Sequence, residues 1–496
     1  MTVLDMPTTQ NTCADLRLHT DQLTVRLRST GAVLVHPFTC QLRAGERLTI
    51  IGTSGAGKSL LLDAIMGTLP PEMQVSGAVQ IGQHRTDGDP VRTQALWGST
   101  VMMLPQEPWA SLNPIMPLRT QVAEAAYYSG SAAGRWAVAQ QTAQHWLQTL
   151  GVGHAGRAYL HQISGGMAQR VGLACTAATN ALLVLADEPT KGLDRNAVAT
   201  VAQQLLMAQA LHQALVVVTH DLDLARQLGG QVLVMHEGAV VESGPCETVL
   251  QAPQSPHTQA LVQAQPRHWP HRAHSADRAS PVLQAHGLAK SFGDKPVFAD
   301  VSLSLHAGTV TAVCGPSGCG KSTLGNVLLG LLPADAGVVQ RADPSAPHWK
   351  FQKLYQDPLA AFSPYRQLGQ AMMDVMRLHG IAHERLAQAL AGLQLDAELL
   401  LRYPHQVSGG ELQRLSIARM LLLQPQVIVA DEATSRLDAF TQQQVMDYLM
   451  RCVDELQCAV LLITHDTDMA HAVADEVLVW GRDVARPSVV VLFNVS

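Results

Sequence analysis

LTIIGTSGAGKS (Leu48–Ser59) is an apolar run of strand length that ends in a glycine-rich loop with a lysine and a hydroxyl, and TAVCGPSGCGKS (Thr311–Ser322) repeats that arrangement later in the chain. Both loops fit the P-loop pattern G-x4-G-K-S, and both are followed by helix-like segments, SLLLDAIMGTL and STLGNVLLGLL. Glycines at 52, 55 and 57, and again at 315, 318 and 320, let backbone N–H groups curl around phosphate oxygens. The helix that follows adds its positive end. Lys58 and Lys321 are placed to reach the β- and γ-phosphates, and Ser59 and Ser322 to offer hydroxyl oxygens to a divalent cation. Thr323 supplies a further hydroxyl after Ser322, where the first loop has Leu60.

Outward from these loops, a whole order of motifs repeats. The first set continues with Gln106, SGGMAQR (Ser164–Arg170), LLVLADEPT (Leu182–Thr190) and VVVTHD (Val216–Asp221). The second continues with Gln356, SGGELQR (Ser408–Arg414), QVIVADEAT (Gln426–Thr434) and LLITHD (Leu461–Asp466). Chance yields a single glycine-rich loop, but not linked motifs in one order twice. The 496 residues therefore read as two large domains, 15–265 and 281–496. Residues 266–280, rich in Pro, His, Arg and Ser without a helical or alternating period, read as an exposed linker. Its histidines read as polar filler rather than metal ligands.

Continuous apolar runs such as LLVLAD and VLLITHD predict parallel strands buried on both faces. Ligand loops belong at the carboxyl ends of such strands, where these motifs fall. The stretches between Gln106 and Ser164 and between Gln356 and Ser408 read as mostly helical, a subdomain inserted into each α/β core.

Composition narrows the function classes. The formal charge of −6, from 34 basic and 40 acidic residues, argues against a general nucleic-acid binder. Eight cysteines without a CxxC pair read as reduced thiols. No segment is apolar for long enough to span a bilayer, and the N-terminus lacks the features of a signal peptide, so a cytosolic protein that acts on membranes only through partners is expected.

Two adjacent carboxylates at a strand end can divide two tasks. Asp187 and Asp431 are expected to hold the metal through its bound water, and Glu188 and Glu432 to polarise an attacking water. His220 and His465 end later strands and are placed to keep the water-side geometry. Hydrolysis would rest on positioning and electrostatics. Ser164, Gly165 and Gly166, and likewise Ser408, Gly409 and Gly410, open helices and form a second anion-binding site in each half. Each half already has a P-loop, so this second grip is expected to serve the nucleotide of the other half.

That SGG loop is the signature of the ABC ATPase superfamily, which the chain resembles over nearly its whole length. The resemblance implies an α/β fold of two tandem P-loop (RecA-like) ABC ATPase domains, each with an inserted helical subdomain. It implies ATP and Mg2+ as cofactors and head-to-tail pairing of the halves. One site would use Lys58, Ser59, Gln106, Asp187, Glu188 and His220 with Ser408 and Gly410 opposite. The other would use Lys321, Ser322, Gln356, Asp431, Glu432 and His465 with Ser164 and Gly166. Asp194 and Asp438 match the family's D-loop aspartate, and ATP would drive a shift between closed and open states.

PQEPWASLNPIMPL around Gln106, YQDPLAAFSPYRQL around Gln356, RYPHQVSGG and HEGAVVESGPCETVLQAPQSPHTQAL look like the oligopeptide, dipeptide and nickel importer subfamily. That resemblance implies two transmembrane permease subunits and a substrate-binding protein as partners, with the chain peripheral on the cytoplasmic face of the inner membrane. Small peptides are the expected cargo, a nickel or metallophore complex the alternative. A soluble tandem ATPase acting on ribosomes is the rival from another class, disfavoured by the short linker and acidic charge. Phe292 matches the aromatic residue the family places under adenine, and Leu27 stands near that place in the first half. The Lys58 site is therefore expected to bind ATP more weakly than the Lys321 site. No tail like that of the first half follows the second, and with no cysteine after Cys458 no iron–sulfur cluster is expected there.

Overall fold

A computed structural model describes residues 15–107, 111–190, 195–209, 213–272, 280–316, 318–435, 437–480 and 490–492. The chain divides into two compact units, Met1–Val262 and Gln263–Ser496. Each contains one mostly parallel six-stranded sheet and one smaller antiparallel sheet.

In the first unit the six-stranded sheet runs in the order Ala239–Pro245, Gln231–His236, Arg47–Gly52, Ala214–Thr219, Leu183–Asp187 and Val101–Leu104. Every neighbouring pair is parallel except the first, an antiparallel hairpin at the edge. The second unit repeats this order with Val490–Leu492, Glu476–Val479, Val310–Cys314, Ala459–Thr464, Val427–Asp431 and Phe351–Leu354. Its edge pair, Glu476–Val479 with Val490–Leu492, is again antiparallel. The second unit thus carries the counterpart of the first unit's edge strand, although the sequence around it bears no likeness.

The apolar strands are buried on both faces, as their composition predicts. Leu183 and Leu185 join a core shared with the antiparallel sheet and the P-loop helix, while Val184 and Ala186 face the helical side. Val427 and Val429 divide from Ile428 and Ala430 in the same way. This period of two, with apolar residues at both phases, is what a doubly covered strand requires. The inserted segments are helical, Leu118–Tyr128 and Trp136–Thr149 in one unit, Leu368–His379 and His383–Gly392 in the other.

Residues 266–272, taken as the start of an exposed linker, are packed onto the second unit. Trp269 is buried in its core and donates its indole N–H to the Ala264 carbonyl at 2.8 Å. Arg272 donates its backbone N–H to Ala472 O and pairs with Asp454 and Asp475. A large ring and a guanidinium with two carboxylates outweigh the loop-like composition around them. Residues 273–279 lie outside the described residues.

Candidate nucleotide sites

Each P-loop starts where a central strand ends, Arg47–Gly52 or Val310–Cys314, and feeds the helix Lys58–Met66 or Lys321–Leu328. The helices are preceded by Gly57 and Gly320, whose φ of 90° and 104° lie in the left-handed region. A side chain there would be strained; at Gly57 it would press on Leu34 O at 3.2 Å, and at Gly320 it would clash with Val297 Cγ1. Lys58 Nζ donates to Gly52 O and Thr53 O, both at 2.9 Å, and Lys321 Nζ to Gly315 O at 2.8 Å and Pro316 O at 2.9 Å. Both ammonium groups are thus held within the loop that is to cradle phosphate. Gly55 and Gly318, with φ of 81° and 80°, leave the loop crest open.

The strands Leu183–Asp187 and Val427–Asp431 bring their carboxylates to the P-loop hydroxyls. Ser59 hydrogen-bonds Asp187, and Ser322 Oγ donates to Asp431 Oδ1 at 2.7 Å. Burial pushes Asp187 up to about 6, with Glu188 and Asp63 adding to the rise while the Ser59 hydrogen bond and Lys58 oppose it. Its Oδ1 is buried and accepts no hydrogen bond. A hydroxyl and a carboxylate with an unused oxygen are the hard donors that suit Mg2+. Among the described residues no cluster of three or more His, Cys, Asp or Glu forms a protein-only cage. Ser59 and Asp187 fit such a cation with the unused oxygen, whereas both Asp431 oxygens are already engaged, by Ser322 and Lys353.

The next residue in each unit turns sharply. Glu188 and Glu432 both have φ of 47°, and their N–H groups still bond the adjacent strand, to Val218 O at 2.8 Å and Ile463 O at 2.9 Å. His220 Nδ1 stands 2.7 Å from Glu188 Oε2. Burial alone would raise Glu188, but the charge and hydrogen bond of His220, with Lys58, hold it below the usual range. For His220, burial opposes the charged form, and Glu188 outweighs that to raise it. In the second unit His465 Nδ1 lies 3.5 Å from Glu432 Oε1, and Gln356 Nε2 donates to Glu432 Oε2 at 3.0 Å. Gln106, half-buried, follows the strand Val101–Leu104.

The signature residues open the helices Gly165–Ala177 and Gly409–Leu421, with Ser164 and Ser408 as N-caps. Ser408 forms a capping box with Glu411, whereas Ser164 makes no side-chain cap and Met167 stands at the matching position. Phe292 ends the strand Pro281–Phe292 and is 54% exposed, with Lys290 Nζ 5.9 Å from its ring centroid. Thr323 is half-buried on the P-loop helix, and Asp438 caps the helix Ala439–Leu456. Asp194 lies outside the described residues.

Three residues at these sites escape motif reading. Lys353 Nζ pairs with Asp431 Oδ2 at 2.8 Å, Asn326 Oδ1 accepts from Lys353 at 2.9 Å, and Asp63 acts on Asp187. A lysine in the short strand Phe351–Leu354 is the one signal the sequence offered.

The family described as ABC transporter matches residues 35–191 and 298–435. The glutathione import ATP-binding protein GsiA of Salmonella typhi is 31% identical over 511 residues, covering 90% of this chain and 81% of that protein. GsiA of Escherichia coli (strain K12) is 32% identical over 510 residues with the same coverage, 90% and 81%. Among solved structures, the archaeal ribosome recycling factor aABCE1, in complex with ribosomal stalk protein aP1, has a TM-score of 0.66 at 17% identity, covering 94% of this chain and 88% of that one. RNase-L Inhibitor has a TM-score of 0.63 at 17% identity, covering 94% and 89%. These structural likenesses show the fold alone. Family matches over both P-loop units, with relatives above 30% identity across nine-tenths of the chain, make it a member of the ABC transporter family, an ATPase that couples ATP hydrolysis to transport.

Proposed function

We propose that the chain is the energy-coupling subunit of an importer for small peptides. The observation that carries this reading is the match across 90% of the chain to proteins named for glutathione import, glutathione being itself a short peptide. The SLNP-type and SPHT segments in the sequence agree with it. Two transmembrane permease subunits and a substrate-binding protein are the partners it requires. Among the described residues no helix is long and apolar enough to cross a membrane, so in this reading the chain sits on the cytoplasmic face of the inner membrane through its permeases.

In each unit, in this reading, the P-loop glycines and lysine bind the phosphates, and the strand-end glutamate accepts a proton from the attacking water. His220 keeps Glu188 ionised and oriented, and Gln356 does so for Glu432. Ser59 with Asp187, and Ser322 with Asp431, are the residues to hold Mg2+, whose chemistry is to neutralise charge on the phosphates. The exposed Phe292 ring favours tighter ATP binding in the second unit. The test is affinity capture of the tagged full chain from its native membranes in mild detergent. Two multi-span permeases are the expected companions; ribosomal proteins without a permease would overturn the importer reading.

A further inference from the structure

The two units share motifs at the metal-holding aspartate but not the charge around it. In the second unit Asp431 is engaged on both oxygens, Oδ1 by Ser322 at 2.7 Å and Oδ2 by Lys353 at 2.8 Å, with the Lys353 and Asp431 side chains each only 9% exposed. Asn326 holds the lysine from the P-loop helix at 2.9 Å.

Strand register identifies the counterparts. Lys353 stands opposite Val429, two residues before Asp431; in the first unit Met103 stands opposite Leu185, two residues before Asp187. Asn326 is the fifth residue after Lys321, and Asp63 the fifth after Lys58. Where the first unit has a thioether and a carboxylate, the second has an ammonium and an amide. The surroundings of Asp431 are thus two unit charges more positive than those of Asp187. Asp187 correspondingly keeps an oxygen without a hydrogen bond, and the Asp63 charge acts on it unfavourably.

A nucleoside triphosphate brings several negative charges toward this aspartate, and a divalent cation normally offsets the repulsion. We propose that Lys353 is a resident counter-ion of the second nucleotide site, which lets that site hold ATP without a divalent cation, while the first site, with Met103 and Asp63, holds it only with the metal. The proposal rests on the reading of Ser59–Asp187 and Ser322–Asp431 as the metal-holding pairs. Lys353 is a positioning residue here; it acts through Asp431.

The test is photolabelling of the full chain with 8-azido-ATP in Mg2+ and in EDTA, with labelled peptides assigned to each unit by mass spectrometry. In EDTA the label on the first unit is expected to fall by about tenfold or more, and that on the second by less than about threefold, as a unit charge at this range allows. Lys353→Met, which installs the residue of the matching position, is expected to bring the second unit's Mg2+-to-EDTA ratio up to about tenfold while labelling in Mg2+ persists. Met103→Lys is expected to make the first unit less dependent on the metal, and it keeps the test valid if Lys353→Met fails to fold. An unchanged ratio in the second unit of folded Lys353→Met, or in the first unit of Met103→Lys, would overturn the proposal. A ratio near unity in both units of the unaltered chain would refute the metal-holding pairs themselves, and the proposal with them.

Discussion

Glu188 and Glu432 hold a backbone conformation that a glutamate rarely adopts, with φ of 47° in both. Such a conformation costs on the order of 1–3 kcal/mol and persists only where the surroundings fix it. Here the fixing contacts are the N–H bonds to Val218 O and Ile463 O, which carry the strand pairing one residue past its aspartate. The turn separates the carboxylate at the strand end from the next one. The His220–Glu188 contact carries a pH signature. A glutamate held below 4.5 adds stability that is present above that pH and lost as pH falls through its folded value. A histidine raised above 6.5 adds stability that is complete below 6.5 and lost as pH rises through its folded value. Both contributions are therefore full between pH 4.5 and 6.5. The melting-temperature gap between the unaltered chain and His220→Gln is expected to be widest in that window and to narrow as the pH rises above it, as differential scanning fluorimetry across the range would report.

At the level of elements, the strands and P-loop helices were legible because one composition rule governs them. Leu183–Asp187 and Val427–Asp431 are apolar at both phases, and only a strand covered on both faces tolerates that. The helices after the P-loops and the SGG loops were legible too, since glycine and serine precede them. Asp438 caps a further helix: its Oδ1 accepts from Thr441 N at 3.1 Å and its Oδ2 from Thr441 Oγ1 at 3.1 Å. Asp438→Ala leaves that half-buried N–H without its acceptor and is expected to cost about 1 kcal/mol, which lowers the second unit's calorimetric transition by about 2–4 °C. What could not be read was cross-strand charge. Whether Lys353 meets Asp431 depends on register between two strands separated by a whole helical subdomain, and no local pattern encodes that. The same holds for Asn326 and Asp63, which look like ordinary polar residues on a helix.

For the whole molecule, the duplication of motifs foretold two similar units, and the two six-stranded sheets agree strand for strand, while the antiparallel sheet has four strands in the first unit and three in the second. Their borders were harder to read. Pro266–His268 and the residues that follow have linker composition, yet Trp269 sits in the second unit's core and Arg272 pairs with Asp454 and Asp475. A single large apolar residue decides such a segment, and composition averages it away. Trp269→Ala is expected to destabilise the second unit by about 3 kcal/mol, seen as a downward shift of its calorimetric transition with that of the first unit unmoved. The edge strand Val490–Leu492 was likewise missed, because its surrounding sequence has no likeness to Ala239–Pro245, which occupies the same place in the first unit.

In the proposed mechanism ATP hydrolysis proceeds at Glu188 and Glu432, the glutamates that follow Asp187 and Asp431. Phosphate release by the purified full chain, compared with a Glu188→Gln, Glu432→Gln double variant, tests it most directly. Loss of the two bases is expected to reduce turnover by on the order of 100-fold or more while ATP still binds. A double variant that binds ATP and releases phosphate at the rate of the unaltered chain would contradict it.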